Sequence, residues 1–129
     1  MKRIVSYPAI FHYEDGGYWV EMPDVSGFVT QGDTLDEAFI MAREALGLCL
    51  EDLEDYPEAS EMLSVEKLRL LPEDIISIVT VDMVEYKNAS SKSVKKTLTI
   101  PAWIDSLAIK NNINFSATLK EALLEKLKL

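Results

Sequence analysis

An alternating heptapeptide near the C-terminus, residues 94–100 (VKKTLTI), constrains the fold of this chain more than any other feature. Successive side chains of a strand point to opposite faces, so this strand has an apolar face and a second face that carries Lys95, Thr97 and Thr99. A single strand leaves a row of backbone N–H and C=O groups without partners. The pattern therefore predicts pairing with the identical strand of a second chain, as a two-stranded antiparallel ribbon.

Two short helices are predicted to follow this strand. Pro101 suits the first turn of a helix over about 102–111, and Asn114 or Ser116 can cap the start of a second helix. So short a segment cannot bury an adequate core alone, whereas four helices from two chains can close over the apolar face of the ribbon. The outer face then presents Lys and Thr side chains to the major groove of DNA, while the start of the second helix can hold a phosphate.

Charge divides the chain into two parts of opposite sign. Residues 1–91 hold 19 Asp and Glu against 6 Lys and Arg, whereas residues 92–129 hold 3 against 7. This asymmetry indicates a basic partner for the front part and a polyanionic partner for the rear, although an acidic surface can also serve solubility alone. Cys49 is the single cysteine, and the chain has no membrane-length apolar run and no signal peptide, so a cytoplasmic protein is expected.

The opening residues predict a three-stranded antiparallel meander. Runs rich in β-branched and aromatic residues alternate with glycine-containing turns, and they place the strands at residues 2–13, 18–22 and 28–31. Pro8 confines part of the first strand to an edge or a bulge, because proline donates no hydrogen bond to a neighbouring strand.

One helix and one further strand complete this predicted α+β layer. A capping box that begins at Thr34 opens a helix whose apolar stripe extends to Leu53. An irregular acidic connection, with a short helix near 59–63, leads to a β-branched run at 75–81. That run predicts a buried strand that continues towards Tyr86.

The polar stretch 87–93 predicts a flexible linker between a front domain, residues 1–86, and a rear domain, residues 94–129. With its alternating strand, proline and two helices, the rear domain resembles the ribbon-helix-helix DNA-binding domain. The chain as a whole resembles the HicB antitoxins. The residues that carry this resemblance are 15–20 (DGGYWV), 23–38 (PDVSGFVTQGDTLDEA) and 95–101 (KKTLTIP).

The resemblance implies a partial RNase H-like front domain that binds and inhibits a HicA-type mRNA-cleaving toxin. It also implies a rear ribbon-helix-helix domain that forms a homodimer, binds operator double-stranded DNA and represses the toxin–antitoxin operon, with a higher oligomer allowed when the toxin is bound. The DNA-binding residues expected are Lys95, Thr97, Thr99 and Ser116. An acidic domain with aromatic anchors suits a toxin that holds RNA phosphate, and the candidate toxin-binding residues are Glu14, Asp15, Tyr18, Trp19, Glu21 and Asp24.

Catalysis is not expected. RNase H-like nucleases need a carboxylate cluster for divalent metal ions, yet residues 2–13 contain no Asp or Glu. His12 is the only histidine and Cys49 lies on the apolar stripe of the predicted helix, so no catalytic residue, metal site or cofactor is predicted. The alternative function is a ligand-responsive ribbon-helix-helix repressor without a toxin partner, although no sequence pattern indicates a ligand pocket.

Overall fold

A computed structural model describes residues 1–60 and 70–129 of the chain, and tertiary contacts divide it into two units, Met1–Ser90 and Ser91–Leu129. The short helix predicted near 59–63 runs into the segment between the two ranges and so lies outside the described residues. In the part of the chain that the structure describes, no helix has the length and apolar character needed to cross a membrane.

The front unit contains four strands, β1 (Ile4–Glu14), β2 (Gly17–Glu21), β3 (Val29–Gly32) and β4 (Ile75–Asp82). They form one antiparallel sheet in the order β3-β2-β1-β4. The hairpin between β1 and β2 turns through Asp15 and Gly16, which both have positive φ angles, as a tight turn requires. The predicted meander, helix and further strand are therefore confirmed, with the three meander strands displaced by one or two residues at their ends.

Pro8 lies in a stretch of β1 that has a neighbouring strand on one side. It pairs with Ile78 of β4, while the pairing of β1 with β2 begins at Ile10. A proline is tolerated there because, among the residues that the structure describes, no second strand pairs with this stretch and requires the missing N–H group. The predicted edge position of Pro8 is confirmed.

The prediction that 75–81 is a buried strand is wrong. β4 lies at the edge of the sheet and pairs with β1, and the buried members of β4 are Val79 and Val81. Ile78 is 58% exposed and points away from these two, as alternation along a strand dictates. A β-branched run is compatible with an edge strand as well as with a central one, because it fits any half-buried pleated surface.

Helix α1 (Leu35–Leu50) covers one face of the sheet. The Thr34 half of the predicted capping box is confirmed, because the hydroxyl oxygen of Thr34 accepts a hydrogen bond of 3.1 Å from the N–H of Glu37. The buried side chains of this layer form one core, in which Phe39 of α1 stacks on Phe11 of β1 with 4.3 Å between ring centroids. Burial of these apolar side chains supplies the main stabilisation of the front unit.

The apolar stripe of α1 ends before Leu53, contrary to expectation. The helix stops at Leu50, and Leu53 is 44% exposed beyond it. The residues that follow are strongly acidic and the last helical turn holds no basic residue. Negative charges disfavour further turns, because the C-terminal end of a helix is itself the negative end of its dipole.

A second helix, α2 (Met83–Ser90), begins where β4 was expected to continue towards Tyr86. The Asp82 side chain ends the strand and caps this helix, since its Oδ1 accepts hydrogen bonds from the N–H groups of Val84 (3.0 Å) and Glu85 (3.1 Å). Residues 87–90, predicted as the start of the linker, are therefore helical.

The rear unit contains α3 (Ala102–Lys110) and α4 (Phe115–Lys126). Asn112 has a φ of 56°, which confirms the left-handed asparagine predicted to end the first of these helices. Of the two candidate caps for α4, the structure uses Asn114, whose side-chain oxygen accepts a hydrogen bond of 3.0 Å from the N–H of Ala117. Pro101 lies at the N-cap of α3, one residue before the position expected.

Candidate functional site

The rear unit has no hydrophobic core within one chain. None of its residues, 91–129, is buried. Twelve of its large apolar side chains are exposed, and these are Val94, Leu98, Ile100, Trp103, Ile104, Leu107, Ile109, Ile113, Phe115, Leu119, Leu123 and Leu127. So much apolar surface on so small a unit is typical of a face that another chain covers.

The segment that precedes α3 forms neither helix nor strand in the single chain. Residues 94–100 were predicted to pair with the same residues of a second chain, so the strand partner would have to come from outside this chain. Lys95, Thr97 and Thr99 are all exposed on this segment.

Ser116 lies in the first turn of α4, next to the cap, and is exposed. Because Asn114 occupies the N–H of Ala117, the N–H groups of Phe115 and Ser116 are the ones left at this helix start for an external acceptor. The predicted phosphate contact at Ser116 is thus geometrically open and remains a prediction.

The candidate toxin-binding residues divide into two groups in the structure. Glu14, Asp15, Tyr18 and Trp19 gather at the β1–β2 hairpin, where they line a shallow polar depression with residues 31–33. Asp24 follows the other end of β2, where its carboxylate accepts hydrogen bonds from the backbone N–H and the hydroxyl group of Ser60. The structure does not bring Asp24 together with the hairpin residues, and its local bonds explain its carboxylate.

Trp19 and Glu21 surround His12 on the sheet face opposite α1. The rings of Trp19 and His12 stack with 4.0 Å between centroids, and His12 Nδ1 lies 3.0 Å from Oδ1 of Asp74, with which it forms a hydrogen bond. His12 Nε2 lies 3.6 Å from a carboxylate oxygen of Glu21. These contacts hold the exposed indole in a fixed orientation, so Trp19 can serve as a rigid anchor.

The described residues do not form a metal-binding cluster. Within residues 1–60 and 70–129, no group of three or more His, Cys, Asp and Glu side chains is close enough to hold a metal ion. Burial raises the pKa of the Cys49 thiol, which keeps it protonated and unreactive at neutral pH.

An apolar groove between α1, α2 and the edge strand β3 was missed in the sequence. The apolar residues that line it are Val29, Met41, Ala45, Leu48, Tyr86 and Ala89. Met41, Ala45 and Leu48 have the spacing of one helix face, which is a signal that the sequence carries. The buried stripe of the same helix is the stronger pattern, so this second apolar face was not recognised. The opposite wall of the groove belongs to α2, a helix that was not predicted.

A family model of the HicB-like antitoxins of bacterial toxin–antitoxin systems matches residues 7–124 of the chain. The chain is also 37% identical, over 97 residues, to a 14.9 kDa protein that Haemophilus phage HP1 encodes in its rep-hol intergenic region. That alignment covers 74% of this chain and 73% of the phage protein.

Solved structures show the same likeness. A chain of a toxin–antitoxin complex from Streptococcus pneumoniae superposes with a TM-score of 0.58 at 35% identity, covering 95% of this chain and 99% of that one. The antitoxin HicB of Burkholderia pseudomallei gives a TM-score of 0.51 at 28% identity, covering 95% and 96%. Coverage this high includes both the antiparallel sheet of the front unit and the two helices of the rear unit.

Proposed function

The chain belongs to the HicB-like antitoxins of bacterial toxin–antitoxin systems, and from that membership we propose that its front unit inhibits a HicA-type mRNA-cleaving toxin while its rear unit represses the operon. The single observation that carries the second half of this proposal is the coreless rear unit, in which no residue of 91–129 is buried. Both activities belong in the cytoplasm, where mRNA and operator DNA are found.

The rear unit is proposed to be a ribbon-helix-helix dimer. Two copies can pair residues 94–100 antiparallel and cover the apolar face of the ribbon with α3 and α4 of both chains. Full burial of one large apolar side chain stabilises a protein by about 1.5–3 kcal/mol, so the twelve exposed side chains of each copy supply ample driving force. The dimer also satisfies the backbone groups of a strand that has no partner in one chain.

This dimer presents Lys95, Thr97 and Thr99 of each chain on the outer face of the ribbon. A two-stranded ribbon fits the major groove of B-DNA, where lysine and threonine side chains can contact base edges. The N-terminus of α4, with Ser116, is proposed to contact a backbone phosphate, since the free N–H groups there favour an anion. The net positive charge of residues 92–129 supports a polyanionic target.

The front unit is proposed to bind the toxin through its acidic surface. An RNA-cleaving protein must carry positive charge to hold phosphate groups, and residues 1–91 carry 19 acidic against 6 basic residues. Glu14, Asp15, Tyr18, Trp19 and Glu21 remain proposed contacts at the hairpin and on the adjoining sheet face. Asp24 also remains a proposed contact, although its bonds to Ser60 give it a local structural role.

The front unit is also proposed to be a partial RNase H-like domain without nuclease activity. The sheet order β3-β2-β1-β4 with α1 on one face supports the fold assignment. Catalysis is not part of the proposal, because the central strand β1 carries its first carboxylate at Glu14, the last residue of the strand.

Gel-shift titration of the chain on its own operator, repeated at several salt concentrations, tests the DNA-binding half. Thr97→Ala should weaken binding and relax sequence preference.

If Lys95 meets phosphate, Lys95→Gln removes one such contact per chain, so the slope of log K against log salt should become shallower by about 1.8 for a dimer. Lys96→Gln is the matched control, because it removes the same charge from the opposite face of the predicted strand. Unchanged affinity for both Thr97→Ala and Lys95→Gln refutes the ribbon.

Co-purification tests the toxin-binding half. The chain should form a stable complex with the protein encoded by the reading frame adjacent to its gene, and that protein should be small and basic. Absence of a complex between the two purified full-length proteins contradicts toxin inhibition, whatever the gel-shift result.

A further inference from the structure

We infer that the apolar groove between α1, β3 and α2 is the surface on which the front unit docks a basic protein, the toxin of the proposed pair. The inference rests on the toxin inhibition proposed above and locates it on the molecule. It differs from the expectation drawn from the sequence, which favoured the hairpin between β1 and β2.

The wall of the groove formed by α1 is apolar and accessible. Leu48 is 63% exposed and Met41 is 37% exposed, and with Ala45 they form a stripe along the helix. Tyr86 and Ala89 of α2 line the opposite wall. Single exposed apolar residues are ordinary on a protein surface, whereas several that line one concave site are typical of a surface that binds another protein.

The rim of the groove is acidic. Glu44 lines it directly. Glu51 and Asp52 follow directly after the end of α1 and add negative charge there. Burial first, and then the negative charges of Glu51, Glu44 and Asp52, raise the pKa of the Tyr86 hydroxyl. Among the residues that the structure describes, no ion pair neutralises any of these three carboxylates.

The acidic rim therefore determines which kind of molecule can bind in the groove. The front unit of a second copy would bring an equally acidic surface against the rim, and RNA or DNA would bring phosphates, so both are repelled. The basic, apolar rear unit of a second copy is already covered by its own partner in the proposed dimer. A basic protein complements the rim with its cations and can place an apolar side chain between Leu48 and Tyr86. A few well-packed central side chains carry most of the binding energy in protein interfaces, and a polar rim surrounds them.

The groove and the hairpin depression are neighbours along the edge strand β3. Val29 and Thr30 line the groove, and Gln31 and Gly32 line the depression. The depression is mainly polar, and its indole, Trp19, already stacks on His12. We therefore expect the apolar anchor of the toxin at the groove, with the hairpin residues at the rim of the same interface.

Two variants of α1 with matched exposure test this inference. Leu48 (63% exposed) lines the groove, whereas Ile40 (59% exposed) lies on the same helix outside it. Titration calorimetry of the full-length chain with the purified protein of the adjacent reading frame should show roughly thirtyfold weaker binding for Leu48→Lys, the loss expected at the centre of an interface. The dissociation constant of Ile40→Lys should stay within about threefold of the wild-type value, because Ile40 lies outside the groove. Both variants should keep the circular dichroism spectrum and thermal midpoint of the wild type.

Three other outcomes overturn the inference in distinguishable ways. If the wild type binds and Leu48→Lys binds equally well, the groove is not the docking surface, while toxin inhibition stands. If the wild type does not bind, toxin inhibition fails and the groove assignment fails with it. If Leu48→Lys changes the sedimentation coefficient of the chain alone, the groove is an interface between copies of this chain.

Discussion

Replacement of Gly47 by alanine should destabilise the front unit, although the same change stabilises most helices. Gly47 is a buried residue of α1, and the ring of Tyr86 lies directly against its backbone. A Cβ atom at this position would overlap Cγ, Cδ2 and Cε2 of the ring. Rotation of the ring about its Cβ–Cγ bond leaves Cγ in place, so either the Tyr86 side chain must leave its rotamer or α2 must shift.

The magnitude follows from two opposing effects. Alanine in place of glycine favours a helix by about 1 kcal/mol. Forcing an extra methyl group into a filled site costs about 1–3 kcal/mol, and a clash with a ring near its point of attachment belongs in the upper part of that range. The free energy of unfolding should therefore fall by about 1–2 kcal/mol, with a loss in Tm of about 4–8 °C for each kcal/mol in a unit of this size.

Urea and thermal unfolding, monitored by circular dichroism, measure this change. The sign should reverse in a Tyr86→Ala background, where Gly47→Ala has free space and should stabilise the chain by up to about 1 kcal/mol through helix propensity. A rise in Tm for Gly47→Ala in the otherwise wild-type chain would refute the packing of α2 on α1 described above.

Two further changes test the start of α2 and the rear unit. The N–H of Glu85, followed by the Arg3 guanidinium, holds the pKa of Asp82 below its usual value of 3.8, so its stabilisation is complete above that pH and is lost as the pH falls through the lowered pKa. Asp82→Ala should therefore lower stability by about 1 kcal/mol at pH 7 in urea unfolding and by less at acid pH, and an equal loss at both contradicts this. Leu119→Asp should convert a dimer to a monomer in sedimentation while the front unit melts unchanged, and an intact dimer argues against burial of α4 between chains.

Local sequence patterns predicted the helix ends that depend only on neighbouring residues. The start of α1 needs only the Thr34 hydroxyl and an N–H three residues later, and the end of α3 needs only an asparagine that tolerates positive φ. These were readable without knowledge of the tertiary structure. The alternation at 94–100 is equally local, but its pairing depends on a second chain.

The features that were missed depend on contacts between distant residues. Asp82 starts α2 while it also accepts a hydrogen bond from Arg3, which is 79 residues away, so a β-branched run followed by polar residues suggested a strand and a linker instead. The edge position of β4 follows from the order of the sheet, which composition does not encode. Asp24 was predicted as a candidate toxin contact, and its local bonds were missed because its partner, Ser60, lies 36 residues further along the chain.

No residue of 91–129 is buried in the single chain, which links the folding of the rear unit to protein concentration. If this unit folds only as a dimer, mass action makes its stability rise with the concentration of the chain. Newly made antitoxin below the dissociation constant would then expose an apolar, protease-sensitive tail, whereas abundant antitoxin would be folded and able to bind DNA. If the rear unit represses the operon as proposed, repression would depend on the concentration of the chain, because only the dimer presents the ribbon.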